Sequence, residues 1–311
     1  MKTNQMILVT GGTGYIGSHT AVELLEKGFD VLIADNLSNS RREVVDRIAE
    51  ITGKKPLFEQ TDFSDSEETD WLFDNYDIQA IIHFAAHKAV GESVEKPLMY
   101  YRNNLNSLIN LLDNMTRRGI SNMVFSSSCT VYGEPDSLPV SEEAPIKKAE
   151  SPYGNTKQIS EEILRDTVRV NPSLKVIALR YFNPIGAHPS AKIGELPLGI
   201  PNNLVPFITQ TAYGIRKELR VFGNDYNTPD GSAIRDYINV VDLSKAHVVA
   251  IQRLMNNASK SGFEIFNLGT GHGNSVLEVI RTFEKATGIK VNYKIVDRRE
   301  GDIEKVYADT H

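Results

Sequence analysis

The stretch "MILVTGGTGYIGSH", residues 6–19, joins three local signals that together decide the fold. MILVT (6–10) is a short, apolar, β-rich run and reads as a strand. GYIGSHTAVELLEKG (14–28) has helical spacing, with Ile16, Val22 and Leu25 apolar and Gly28 as a stop. Between them lie the glycines. Gly12, Gly14 and Gly17 satisfy G-x-G-x-x-G, and Gly11, Gly14 and Gly17 satisfy the related G-x-x-G-x-x-G. A turn of this kind brings backbone close to a pyrophosphate and aims the free N–H groups of a helix start at it.

A glycine-rich turn alone is a weak signal, but its surroundings here are specific. DVLIAD (30–35) reads as a second strand, ending on Asp35 about 20 residues beyond the glycines. A carboxylate at that point accepts both ribose hydroxyls and repels a 2′-phosphate, which favours NAD over NADP. Arg41 and Arg42 follow, and read as a solvated helix face.

The pattern continues outward. RREVVDRIAEITG (41–53), SEETDWLFDNY (66–76) and PLMYYRNNLNSLINLLDNMTRRG (97–119) read as helices. PLFEQTD (56–62), IQAIIHFAA (78–86) and SNMVFSSS (121–128) read as strands between and after them. A further helix (151–170) and a sixth strand, LKVIALRYFN (174–183), follow. Apolar strands alternating with helices predict an α/β protein with a Rossmann-type, doubly wound parallel sheet. Residues 184–235 are rich in Pro, Gly and Asn, as in NPIGAHPS and GNDYNTPDGS. The expected division is a dinucleotide-binding domain at 1–183 and a smaller, loop-rich substrate domain at 184–311, with some segments returning to the sheet.

Composition narrows the function. The 311 residues are 41% apolar and 24% charged, ordinary for a globular protein. The formal charge is −6 with no basic block, which argues against nucleic acid or an anionic membrane as partner. The lone cysteine, Cys129, rules out an intrachain disulfide and a cysteine-cluster zinc site, and fits a cytoplasmic setting. The N-terminal apolar run is too short for a signal segment, and no window reaches the roughly 18–20 apolar residues of a membrane span.

SPYGNTK (151–157) carries the chemistry. Tyr153 and Lys157, four apart on a helix, share a face. A lysine charge about 4 Å from the phenol is worth roughly 4 kcal/mol at an effective dielectric of about 20. That predicts a phenol pKa two or three units below its ordinary value of about 10, and a tyrosinate competent to deprotonate a sugar hydroxyl. The end of the fifth strand, FSSSCTVYG (125–133), offers Ser128 as a hydrogen-bonding partner of the reacting oxygen; Ser127 and Thr130 are weaker candidates.

Together the glycine loop, Asp35, HFAAHKAVGES, SSSCTVYG, Y-x-x-x-K and RYFNPIGAH resemble the extended short-chain dehydrogenase/reductase superfamily, and within it the UDP-glucose 4-epimerase family. The resemblance spans almost the whole chain. It implies a catalytic set of Ser128, Tyr153 and Lys157. It implies an NAD site lined by Gly11, Gly14, Tyr15, Ile16, Gly17, Asp35, Asn36, Asp62, Phe84, Lys88, Asn103 and Lys157. Beside Ser128 and Tyr153, it implies nucleotide-sugar contacts from Asn183, Asn203, Leu204, Phe222, Arg235, Arg299, Asp302 and Val306. The chemistry agrees, since a pyrophosphate suits arginines, uracil an aromatic face and amides, and ribose a carboxylate.

The implied reaction oxidises C4 of a UDP-hexose (UDP-galactose or UDP-glucose) transiently and returns the hydride to the opposite face. NAD serves as a bound prosthetic group in galactose metabolism. An alternative on the same fold, a sugar-nucleotide 4,6-dehydratase, typically has Asp-Glu directly before VYG. Here those positions are Cys129 and Thr130. A non-catalytic nucleotide-binding regulator would not need the Tyr153–Lys157 pair. The spacing of His83 and His87 suggests a metal, but no thiol or carboxylate pair joins them and none is expected. Cys129 reads as a packing residue. The resemblance further implies a homodimer built on the helices at 97–119 and 152–170, and a further helical stretch after Tyr307–Asp309, whereas this sequence stops at His311. Val306 stands where the family often gates the sugar C2 substituent with a bulkier residue, which extends the expected substrates to UDP-N-acetyl sugars.

Overall fold

The computed structural model describes residues 5–299 and 303–310. Its centre is a seven-stranded parallel sheet. The first six strands are β1 (Met6–Thr10), β2 (Asp30–Ala34), β3 (Leu57–Glu59), β4 (Ala80–His83), β5 (Asn122–Ser128) and β6 (Lys175–Tyr181). Three short strands lie outside it: β7 (Asn183–Ile185), β8 (Leu219–Phe222) and β9 (Ile234–Asn239). The chain then returns as β10 (Phe263–Leu268), completing the order β10-β6-β5-β4-β1-β2-β3. Strand order reverses between β1 and β4, which opens a crevice at the carboxyl ends of the strands.

Alternation along each strand sends neighbouring side chains to opposite faces. Ile7 and Val9 face one layer with α1 (Tyr15–Glu26) and α2 (Glu43–Thr52); Leu8 faces the other with α3 (Ser66–Asn75). Past a short helix, α4 (Val90–Glu95), that second layer is completed by α5 (Pro97–Arg118) and α6 (Pro152–Val170), through Leu108, Leu111, Leu112, Met115 and Leu164. Both faces are covered, so the central strands are apolar throughout.

Beyond β6 the chain forms α7 (Leu204–Ala212), α8 (Val240–Met255) and α9 (Val276–Thr287), with β11 (Gly273–Ser275), β12 (Tyr293–Val296) and β13 (Lys305–Val306). α8 lies on the first layer, burying Val248, Ile251 and Leu254 against α1 and the sheet. Two small sheets make the other lobe: β9 flanked by β7, β11 and β13, and a parallel β8–β12 pair. That lobe has its own cores, one around Val131, Tyr132, Phe182 and Val306, another around Ile208, Val221 and Ile280.

Two strands are shorter than their sequence patterns. The apolar stretch 78–86 is strand only over Ala80–His83, because Phe84 and Ala85 turn toward β1 and donate their N–H groups to the Thr10 hydroxyl, both at 3.2 Å. The stretch 56–62 is strand only over Leu57–Glu59, where it is the exposed sheet edge and has one neighbour.

Candidate active site

The crevice widens into a cavity of about 1160 Å³ running from the glycine loop to the second lobe. Its first end is made of backbone. Gly11 has φ +66°, and a Cβ there would sit 2.9 Å from Ala85 N. A Cβ on Gly17 would sit 2.4 Å from the Gly11 carbonyl oxygen. The loop therefore closes on itself only with glycine at both places. A Cβ on Gly12 would be equally confined, 2.8 Å from Val9 O, although only one of the two glycine spacings requires it. Gly14 caps α1 without a side chain, so the first-turn N–H groups face the crevice.

Asp35 lies directly beyond the end of β2. One carboxylate oxygen accepts from Thr13 N at 3.2 Å; the other accepts from Leu37 N at 2.9 Å and Ser40 Oγ at 3.0 Å. It thus ties the glycine loop to the following turn and keeps lone pairs toward the cavity. Asn36 donates to Asp62 at 3.4 Å, and Asn103 donates to Asn104 at 2.9 Å. Tyr15, Ile16, Phe84 and Lys88 complete this end. Arg42 points elsewhere, its guanidinium 4.6 Å from the Phe58 ring centroid. A helix start, a glycine cradle and a buried carboxylate suit the pyrophosphate and ribose of a dinucleotide.

Tyr153 and Lys157 line the same cavity from the first turns of α6. Ser151 caps that helix by accepting from Gly154 N at 3.1 Å, and Pro152 begins it. Ser128 ends β5 and accepts from Thr130 N at 3.2 Å, with its hydroxyl at the Tyr153 phenol.

One electrostatic expectation is corrected here. Lys157 does not lower the phenol pKa. Its ammonium turns to the Ser126 carbonyl at 2.6 Å and lies 5.9 Å from the Tyr153 ring centroid. Burial pushes the Tyr153 phenol above its ordinary value, and Tyr181 adds to the rise; the Ser128 hydrogen bond opposes it. Burial also lowers Lys157 to about 8, against the pull of Glu161. Desolvation outweighs the lysine charge because that charge is spent on a carbonyl and on the Phe125 ring, 4.8 Å away.

The second end is made of side chains from separate segments. Asn183 opens β7, Asn203 caps α7, Leu204 begins it, and Phe222 ends β8. The Arg299 guanidinium lies 4.4 Å from the Phe222 ring centroid. Arg235 on β9 donates to Ile234 O at 2.8 Å and is the register partner of Val306 on β13. All of these line the same cavity. Asp302 lies outside the described residues.

The cavity also holds residues that the motifs do not single out. Tyr181 hydrogen-bonds the Ser126 hydroxyl. Glu195 spans the cavity, accepting from Asn203 on one side and from Lys88 at 3.4 Å on the other. Tyr181 sits within the quoted RYFNPIGAH; Glu195 falls in a proline- and glycine-rich stretch with no periodicity to mark it. His83 is engaged by the Thr10 hydroxyl at 2.8 Å. Among the described residues no group of three or more His, Cys, Asp or Glu is placed to hold a metal. None of the described helices is long and apolar enough to cross a membrane.

Known proteins are similar over nearly the whole chain. A UDP-glucose 4-epimerase of Bacillus subtilis is 52% identical over 303 residues, covering 97% of this chain and 88% of its own. One from Mus musculus is 49% identical over 311 residues, covering 98% and 89%. The crystal structure of the Bifidobacterium longum UDP-glucose 4-epimerase in complex with NAD+ and UDP superposes with a TM-score of 0.94 at 48% identity, covering 98% of this chain and 90% of that one. The model of the NAD dependent epimerase/dehydratase family matches residues 7–269, from β1 through the last strand of the central sheet, and the chain belongs to that family.

Proposed function

We propose that this chain is an NAD-dependent UDP-glucose 4-epimerase, an isomerase that interconverts UDP-galactose and UDP-glucose. What carries the reading is one cavity whose lining includes Tyr153 and Lys157 together with the glycine cradle and a pair of arginines. Bound at the first end, NAD would supply the acceptor and donor of the C4 hydride. Gly11, Gly14, Gly17 and the α1 start would hold its pyrophosphate, and Asp35 and Lys88 its riboses.

Tyr153 takes the proton from the sugar 4-hydroxyl and returns it after the sugar has turned over. Ser128 shares the hydrogen bond to that oxygen. Lys157, charged below its pKa of about 8 and 5.9 Å from the Tyr153 ring centroid, would hold the nicotinamide ribose. Arg235 and Arg299 anchor the UDP pyrophosphate, and Phe222 offers its face to uracil. Asn183, Asn203 and Leu204 surround the rest of the nucleotide sugar. The anchor keeps the oxidised sugar from leaving.

Elimination chemistry is disfavoured by the residues beside Ser128. Burial pushes the Cys129 thiol up to about 11, and Thr130 is no acid, so neither serves a dehydratase. A wider substrate range rests on Val306, a buried side chain in the cavity wall that is shorter than a tyrosine there would be. A homodimer built on α5 and α6 is supported by exposed Leu98, Ile109 and Val170 on those helices. The lone cysteine supports a cytoplasmic setting.

Anion-exchange analysis of products from UDP-galactose, without added NAD, tests the reading. Formation of UDP-glucose is expected. No conversion, even with NAD supplied, would overturn it. UDP-N-acetylgalactosamine in a parallel reaction tests Val306.

A further inference from the structure

One buried charge on the Tyr153–Lys157 helix takes no part in the reaction outlined above. Glu161 follows Lys157 by one turn of α6, on the face that carries Tyr153. It is 3% exposed, and its partner Arg180 is 2% exposed. One oxygen of Glu161 accepts from Ser127 Oγ at 2.6 Å and from Arg180 Nε at 2.9 Å. The other accepts from Arg180 Nη2 at 2.6 Å. Ser127 and Arg180 are register partners on β5 and β6. A single carboxylate therefore ties the helix to two adjacent strands at one level. Arg180 is held in turn over the Tyr132 ring, 4.8 Å from its centroid, and the Tyr132 hydroxyl donates to Asn267 at 2.7 Å.

That level matters chemically. Ser126, one residue before Ser127, supplies the carbonyl that takes the Lys157 ammonium. Ser128, one residue after, meets the Tyr153 phenol. Glu161, Ser127 and Arg180 do not themselves line the cavity, whereas Ser126, Ser128, Tyr153 and Lys157 do. Apolar contacts such as Leu164 hold α6 on the sheet, but they are non-directional and leave sliding and rotation loosely set. A two-pronged Arg–carboxylate bond is directional. A buried ion pair adds little net stability over an apolar pair of the same size, so what this one contributes is position.

We infer that Glu161 is a positioning residue for the reaction: through Ser127 and Arg180 it holds the Ser126–Ser128 strand end in register with Tyr153 and Lys157. The inference rests on the epimerase reading above. A misplacement of about 1 Å between reacting groups is enough to lower turnover about 100-fold.

The test is Ser127→Ala, which cuts the strand-side link and leaves the Glu161–Arg180 pair, with Glu161→Gln as the second variant. Turnover of UDP-galactose, KM, unfolding temperature and the slow appearance of reduced-cofactor absorbance on mixing with substrate are measured in the full chain. For Ser127→Ala, kcat falls about tenfold while KM stays within about twofold and the unfolding temperature within a few degrees. Glu161→Gln lowers kcat further, again with little change in KM. Parent-like kcat in Ser127→Ala would overturn the inference, whether or not Glu161→Gln folds. So would a loss that merely tracks the fraction of unfolded protein. A parent chain that converts no UDP-galactose would instead overturn the functional reading.

Discussion

At one end of the cavity the wall is backbone; at the other it is side chains. The glycine loop is one continuous stretch in which each added Cβ meets main-chain atoms, at 2.9 Å for Gly11 and 2.4 Å for Gly17. The far end gathers Asn183, Asn203, Phe222, Arg235, Arg299 and Val306 from separate strands, helices and loops. A backbone site tolerates no substitution, because the neighbouring atoms cannot rotate away. A side-chain site is more modular, because the loss of one side chain removes its own contacts without forcing the main chain to move.

The sharpest break in this comparison is Gly17→Ala. The main chain has to move, so NAD retained after desalting is expected to fall, with affinity lower by about 100-fold or more. Retention of NAD at parent level would show that the loop is not the cradle. At the other end, Arg235→Ala or Arg299→Ala removes one charge-assisted contact. Each is expected to raise KM for UDP-galactose about 10–100-fold and to leave NAD content unchanged. Loss of NAD in either variant would contradict the modular picture.

Lys157 lines the same cavity and is a strained charge. Its folded pKa is lowered from 10.5 to about 8. The unfolded chain thus holds this proton more tightly, and the penalty on the fold is full below about pH 8 and disappears as pH rises through 10.5. Lys157→Met is expected to stabilise the chain by about 2 kcal/mol at pH 7, after the lost Ser126 bond, while reducing turnover. Denaturant melts at pH 7 and above 10 measure this; a destabilised variant at pH 7 would refute it.

The effects that bear least on the two ends belong to three buried histidines, His19 on α1, His83 on β4 and His247 on α8. Burial lowers His19 and His247 to about 4 and His83 to about 3. They stay neutral in the fold while the unfolded chain takes up protons below about 6.5, so stability is full above that value and is lost on acidification. Each is expected to contribute about 1 kcal/mol per pH unit between about pH 6 and 4. A denaturation midpoint that does not move between pH 7 and 5 would contradict it.

The same contrast explains what the sequence makes legible. The cofactor end is local: strand, glycines, helix and Asp35 all lie within 6–35, and each residue type is dictated by backbone geometry. The parallel strands are legible because both faces are buried. The β8–β12 pair is not, since it joins Leu219–Phe222 to Tyr293–Val296 across a long separation, and Tyr293–Ile295 stay exposed. Tyr153 and Lys157 are legible as neighbours from their spacing. Where the ammonium goes is not, because the Ser126 carbonyl that captures it lies on another strand. Glu195 escapes notice for the same reason: its partners Lys88 and Asn203 converge only in space.

The most direct test of the account is Tyr153→Phe, compared with the parent for conversion of UDP-galactose and for binding of NAD and UDP. The variant is expected to bind both and to lose at least about 100-fold in turnover, since only the phenolic hydroxyl that exchanges the proton has gone. Parent-like turnover in Tyr153→Phe would contradict the central claim that this phenol is the group that moves the proton.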